Sequence, residues 1–144
     1  MTMTDPTDLT NDLDATLAEL TTSLTSMRQG DGEPYTAHWS TSEDVTLFGA
    51  WGPIERGHQQ LADTFRWVAG RFGPEGETVQ DIREIHQSGD LAITVGFERG
   101  AAQVDGGPPF EMVIRVTHAF RREADGWRLL HRHADFPPAD PRQG

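Results

Sequence analysis

Phe110-Glu111-Met112-Val113-Ile114-Arg115-Val116-Thr117-His118-Ala119-Phe120 is followed, after Ala124-Asp125-Gly126, by Trp127-Arg128-Leu129-Leu130-His131-Arg132-His133-Ala134-Asp135-Phe136. In the first run large apolar residues alternate with polar or small ones at period two, the pattern of a strand with one face against a core. The second run resumes that pattern beyond a glycine-containing turn, so the two predict a long antiparallel hairpin. Histidines and arginines sit among the apolar positions of both strands. Polar groups placed so line either a cavity or an interface, and any chemistry of the chain is expected here.

Working towards the N-terminus, Val79 to His86 and Leu91 to Arg99 alternate in the same way and predict two more strands. Leu61, Phe65, Val68, Ala69 and Phe72 stripe a helix that Gly73-Pro74 ends. Val45 to Phe48 and Ile54 to Arg56 are short strands around the turn Gly49 to Pro53, and a helical turn is expected from Glu33 to Trp39 with Pro34 in its first turn. Leu9, Leu13, Leu17, Leu20, Leu24 and Met27 lie on one stripe of a long first helix. Asp12 and Asp14 suit its positive end and Arg28 its negative end, with Gly30 closing it. The expected organisation is a loose head (1–8), one domain (9–136) and a loose tail (137–144).

The 144 residues suffice for one domain with a single core that needs no staples. There is no cysteine, which excludes disulfides, thiol nucleophiles and thiolate-ligated zinc. Twelve basic against 23 acidic residues give a formal charge of −11, a field that repels phosphate backbones and anionic membranes. No apolar stretch reaches the roughly 20 residues that span a bilayer, and the first residues lack the charged start and apolar run of a signal peptide. A cytoplasmic protein with no nucleic-acid or membrane partner is expected.

The element order predicts an α+β layer fold, a strongly curved antiparallel sheet wrapped around N-terminal and central helices and enclosing a pocket. Tyr35-Thr36-Ala37-His38-Trp39 before Asp44-Val45-Thr46-Leu47-Phe48-Gly49, Gly57 opening a helix, and the ending Phe120 to His133 together resemble the SnoaL-like, ketosteroid-isomerase-like branch of the nuclear transport factor 2-like superfamily over residues 9–136. The ending is also similar to that of the association domain of calcium/calmodulin-dependent kinases. The resemblance implies a cone-shaped domain, frequently a homodimer through the outer face of its sheet. It leaves the activity open, because the superfamily holds isomerases, cyclases, dehydratases, epoxide hydrolases and non-enzymes on one scaffold.

On the hairpin's first strand Phe110, Met112, Ile114, Val116, His118 and Phe120 share one side, expected to face the helices. For the last strand two sets are possible, because a one-residue slip exchanges them. One is Leu130, Arg132, Ala134 and Phe136; the other is Trp127, Leu129, His131, His133 and Asp135. Similarity to the kinase association domain, whose pocket arginines fall at the positions of Glu98, His118 and Ala134, favours Glu98, His118 and Arg132 inward. The other set then lies outward, with His131, His133 and Asp135 as the alternative pocket.

His118, interrupting an apolar stripe beside Glu98, is the expected general base, able to titrate near neutrality. Arg132 would balance Glu98 or hold an anionic group. Trp39, Phe48, Trp51, Met112 and Ile114 are the expected apolar wall for a hydrophobic ligand. Two histidines and an aspartate at period two on one strand are about 6.5–7 Å apart, an awkward spacing for one ion, so no metal and no cofactor are expected. The catalytic aspartate of ketosteroid isomerases would fall at Phe48, Gly49 or Ala50, and the Asp-Arg-Asp set of the epoxide hydrolases cannot be placed on Asp63, Asp81 or Asp90. Three functions follow as expectations: a small-molecule binding protein of SnoaL-like type, whose catalytic form would be an isomerase, cyclase or lyase acting on a mainly apolar carbonyl compound; a non-catalytic binding module; or a dimeric association module.

Overall fold

The computed structural model describes residues 6–142, with side chains from Asp12 onward. Helix α1 (Pro6–Arg28) buries Leu13, Leu17, Leu20, Leu24 and Met27, the described part of the predicted stripe. After a tight turn comes one turn of helix, α2 (Glu33–Thr36), with Pro34 at its start, where the missing N–H costs nothing. The short antiparallel strands β1 (Thr46–Phe48) and β2 (Ile54–Arg56) precede α3 (His58–Gly70), which buries Leu61, Phe65 and Ala69. Four long strands complete the chain: β3 (Val79–Ser88), β4 (Leu91–Ala102), β5 (Phe110–Glu123) and β6 (Gly126–Asp135). The strands form one six-stranded sheet in the order β2-β1-β6-β5-β4-β3. Every pairing is antiparallel except β1 with β6.

The main core lies between α1, α2 and α3 and the concave face of the sheet. Arg28 stands in the last turn of α1, as expected, and is buried there, 3 % exposed. Its guanidinium donates to the carbonyl oxygens of Gly100 (2.8 Å), Met112 (3.2 Å), Glu77 and Glu98 (both 3.3 Å), tying the end of α1 to the main chain around β3, β4 and β5.

The faces of β5 follow the predicted alternation from Met112 to Phe120, whereas Phe110 at the strand's start is half exposed. Those of β6 do not. The ladder pairs Ala119 with His131 but Phe120 with Leu129, so Leu130 is an extra residue, a β-bulge that reverses the parity of the strand. Trp127 and Leu129 therefore point into the core on one side of the bulge, and Arg132 and Ala134 on the other. Neither single-parity set is correct. The outward positions predicted for Trp127 and Leu129 are overturned, and with them their part in an apolar outer face. That face is carried instead by Leu91, Ile93 and Val95 of β4, between two-fifths and just over half exposed.

Candidate functional site

Glu98 on β4 and Arg132 on β6 flank β5, and the arginine reaches across that strand to the carboxylate. Nη1 donates to Glu98 Oε2 at 2.6 Å and Nη2 to Oε1 at 2.8 Å, a bidentate pair with both partners buried. His118 is the direct cross-strand neighbour of Arg132, and its Nε2 lies 3.1 Å from Arg132 Nη1. The same Nε2 lies 2.8 Å from the hydroxyl of Tyr35 on α2. The resemblance to the kinase association domain implied that Glu98, His118 and Arg132 face inward together, and the fold brings them into contact. Tyr35, the chain's one tyrosine, was missed as a site residue although it opens the motif that carried the family resemblance.

The contacts settle the histidine tautomer. A guanidinium has no acceptor, so Nε2 must present its lone pair to Arg132, with the ring proton on Nδ1. Burial, then the Arg132 charge, push the His118 pKa down to about 3 against the opposing pull of Glu98. The expectation that His118 titrates near neutrality is not met: burial, with the Arg132 charge beside it, outweighs the pull of Glu98 and keeps the ring neutral. Burial acts to raise the Glu98 pKa, but Arg132's charge and hydrogen bonds, with His118 and Arg28, bring it below the ordinary carboxylate value. Burial holds the Tyr35 hydroxyl well above its usual pKa, so it stays protonated.

Beside this cluster is a cavity of about 80 Å³, walled by Leu24 and Met27 of α1, Phe65 and Val68 of α3, and Leu47 and Ile114 of the sheet. Its polar lining is Arg28, Tyr35, Thr64, Thr78, Glu98 and Arg132. His118 is absent from that lining; it supports Tyr35 and Arg132 from behind. The turn Gly49 to Pro53 bounds the cavity, with Trp51 held between Phe72 (ring centres 5.3 Å apart) and the Arg71 guanidinium, 4.0 Å above the indole. Arg71 is itself fixed by Asp105 at 2.8 Å.

Of the predicted apolar wall, Trp51 and Ile114 line this cavity. Trp39 is packed into the core against Tyr35 and Phe65. Met112 is buried in a second cluster with Ile114 and Val116. Phe48 points to the outer side, edge-on to His131 and His133. His131, His133 and Asp135 also lie on the convex side of the sheet. His131 Nδ1 is 2.7 Å from the Thr46 hydroxyl, Asp135 is paired with Arg115, and His133 and Asp135 border a shallow groove there. The alternative pocket is a surface feature separate from the cavity.

Comparison with known proteins gives the same architecture. A model of the SnoaL-like domain matches residues 17–139. No curated protein matches the chain in sequence. A nuclear transport factor 2-like superfamily protein from Salmonella enterica superposes with a TM-score of 0.79 at 18 % identity, covering 97 % of this chain and 99 % of that one. A ketosteroid isomerase-like protein from Erwinia carotovora gives 0.71 at 20 % identity over 90 % and 96 %. The calcium/calmodulin-dependent kinase II hub homology domain of Chlamydomonas reinhardtii gives 0.64 at 18 % identity over 88 % and 98 %. At these identities the likeness is one of fold. Among the described residues no helix is long and apolar enough to cross a membrane.

Proposed function

Because the chain belongs to the SnoaL-like domain family, we propose that it binds a small, mainly apolar molecule in the cavity bounded by Trp51, with the polar group of that molecule against the polar part of the lining. The observation that carries this is the lining itself: apolar side chains from α1, α3 and the sheet with a few polar groups, Arg28, Tyr35, Thr64, Thr78, Glu98 and Arg132, among them. Such a lining fixes a ligand's orientation through one polar group and draws its affinity from the remainder. Isomerase or lyase chemistry on a carbonyl compound needs a free base as well as a donor. The Tyr35 hydroxyl is engaged by His118 Nε2 at 2.8 Å. Glu98 is held by two hydrogen bonds from Arg132 and His118 offers no free lone pair to the cavity, so binding without turnover accounts for the geometry with fewer demands.

Native mass spectrometry of the purified protein, compared with its denatured mass, tests the reading. A bound small molecule at one per chain is expected. An empty chain whose melting temperature is unmoved by small apolar acids, ketones and amides would overturn it.

The second element of the proposal is a homodimer through the outer face of the sheet, supported by Leu91, Ile93 and Val95, which would leave an apolar strip along β4 in water. Val95→Glu should then convert a dimer of two 16.0 kDa chains into a monomer in sedimentation. Finding the unsubstituted protein monomeric at micromolar concentration would exclude the dimer. The same face would serve an association module, in which case subunit exchange and not ligand occupancy would respond to the substitution.

A further inference from the structure

Thr78 is 4 % exposed and lines the cavity, yet its hydroxyl has no hydrogen-bond partner. Its backbone is fully engaged: the N–H donates to Thr25 Oγ1 at 3.0 Å, and that hydroxyl donates back to the Thr78 carbonyl at 3.3 Å. The residue is thus held in place while its side-chain oxygen is left without a partner, which is costly in a dry interior. Next to it, Arg28 donates to the Glu77 carbonyl and also lines the cavity. Its partners in the protein are four main-chain oxygens, with no carboxylate in contact.

The charge balance of this end is uneven. Arg132 and Glu98 neutralise each other, His118 is neutral, and Arg28 remains as one uncompensated buried positive charge. The other acid bearing on it is Glu111, exposed at the start of β5, where water screens its effect. A cation kept out of water beside an apolar cavity, with an unused hydroxyl at its side, is a place for an anionic oxygen.

We propose that Arg28 and Thr78 form the polar subsite of the cavity and that the ligand is a small monocarboxylate, its carboxylate accepting from Thr78 Oγ1 and lying against the Arg28 guanidinium. This rests on the binding function proposed above and narrows its ligand class from any small apolar molecule to an acid. The volume limits the rest: about 80 Å³ is roughly half the cavity that takes benzene, around 150 Å³, so a short aliphatic chain fits and a multi-ring skeleton does not. The Glu98 carboxylate, the one negative group in the lining, is turned to Arg132 and occupied by it.

Isothermal titration of the full chain at pH 7 with butyrate, butyramide and 1-butanol tests this. Butyrate should bind at least tenfold more tightly than either neutral isostere. Thr78→Val should weaken butyrate binding about tenfold while the melting temperature holds or rises, because the hydroxyl removed has no partner to lose. Arg28→Lys should keep the preference for the anion, and Arg28→Gln should abolish it. Should Arg28→Gln fail to fold, the Lys and Val variants still decide the matter. Equal binding of the neutral isosteres would overturn the anionic subsite while leaving the cavity a ligand site. If none of the three binds, both the subsite and the binding function fall. Thr78→Val raising the melting temperature with butyrate affinity unchanged would assign the hydroxyl to an ordered water, which also overturns the proposal.

Discussion

Acidification should destabilise the fold through His118 well before the carboxylates titrate. In the unfolded chain the imidazole takes a proton near pH 6.5, while in the folded protein it resists protonation down to about pH 3. A histidine with a lowered folded pKa binds fewer protons in the native state, so stability is complete above about pH 6.5 and falls as the pH drops from there towards 3. Each pH unit below 6.5 costs about 1.4 kcal/mol, so the step from pH 7 to pH 5 should remove about 2 kcal/mol through this side chain alone. His38 and His131 are held below their ordinary values, burial being the largest cause in each, and they add slope of the same sign. The informative comparison is therefore with His118→Gln, whose amide oxygen can accept from Tyr35 and Arg132 without titrating. Urea unfolding followed by tryptophan fluorescence at pH 7, 6 and 5 should show the unsubstituted protein losing about 2 kcal/mol more than the variant. Equal losses in the two would mean that the ring is not held neutral, and the tautomer and the buried cluster would both have to be redrawn.

Arg132→Met leaves the Glu98 carboxylate buried without its partner and should cost about 3–5 kcal/mol in chemical unfolding; adding Glu98→Leu should recover most of that loss, which a simple packing defect would not do. Leu17→Ala, at the centre of the α1 stripe, should cost about 2–5 kcal/mol by opening a cavity, and a change below about 1 kcal/mol would contradict its burial. A Cβ at Gly96 would overlap the Asp81 carbonyl where β3 bulges against β4, so Gly96→Ala should destabilise by roughly 1–3 kcal/mol, visible as a lower melting temperature.

The elements of the fold were legible because each follows one period. Leucines at spacings of three and four can only share a helix face, and strict alternation from Met112 to Phe120 can only be a half-buried strand. His118 was legible as the polar group on the otherwise apolar stripe of β5, whereas Glu98 and Arg132 were placed inward through the resemblance to the kinase association domain. What escaped reading depends on tertiary detail. Parity along β6 turns on the extra residue Leu130, and a bulge leaves no mark in a run already rich in leucine. Arg28 was read only as the cation at the helix's negative end, although it falls four residues after Leu24 and beside Met27 and so continues the buried stripe; that spacing was the available signal for its burial. Thr78 had none, because an unpaired hydroxyl is visible only after every neighbour has been placed.

The way Arg28 is held bears on how the sequence can vary. Its four acceptors are main-chain oxygens, present whatever side chain occupies positions 77, 98, 100 and 112. Substitution at the exposed Glu77 therefore leaves the clamp between α1 and the sheet intact, whereas no other residue type can supply the planar fork at position 28. Mutational sensitivity is concentrated on one side of the contact. In a saturation library selected for soluble expression, position 28 should accept arginine and, at a reduced level, lysine, with position 77 close to neutral, and a homologue that loses the cation would have to rebuild the helix–sheet junction and not merely replace a partner.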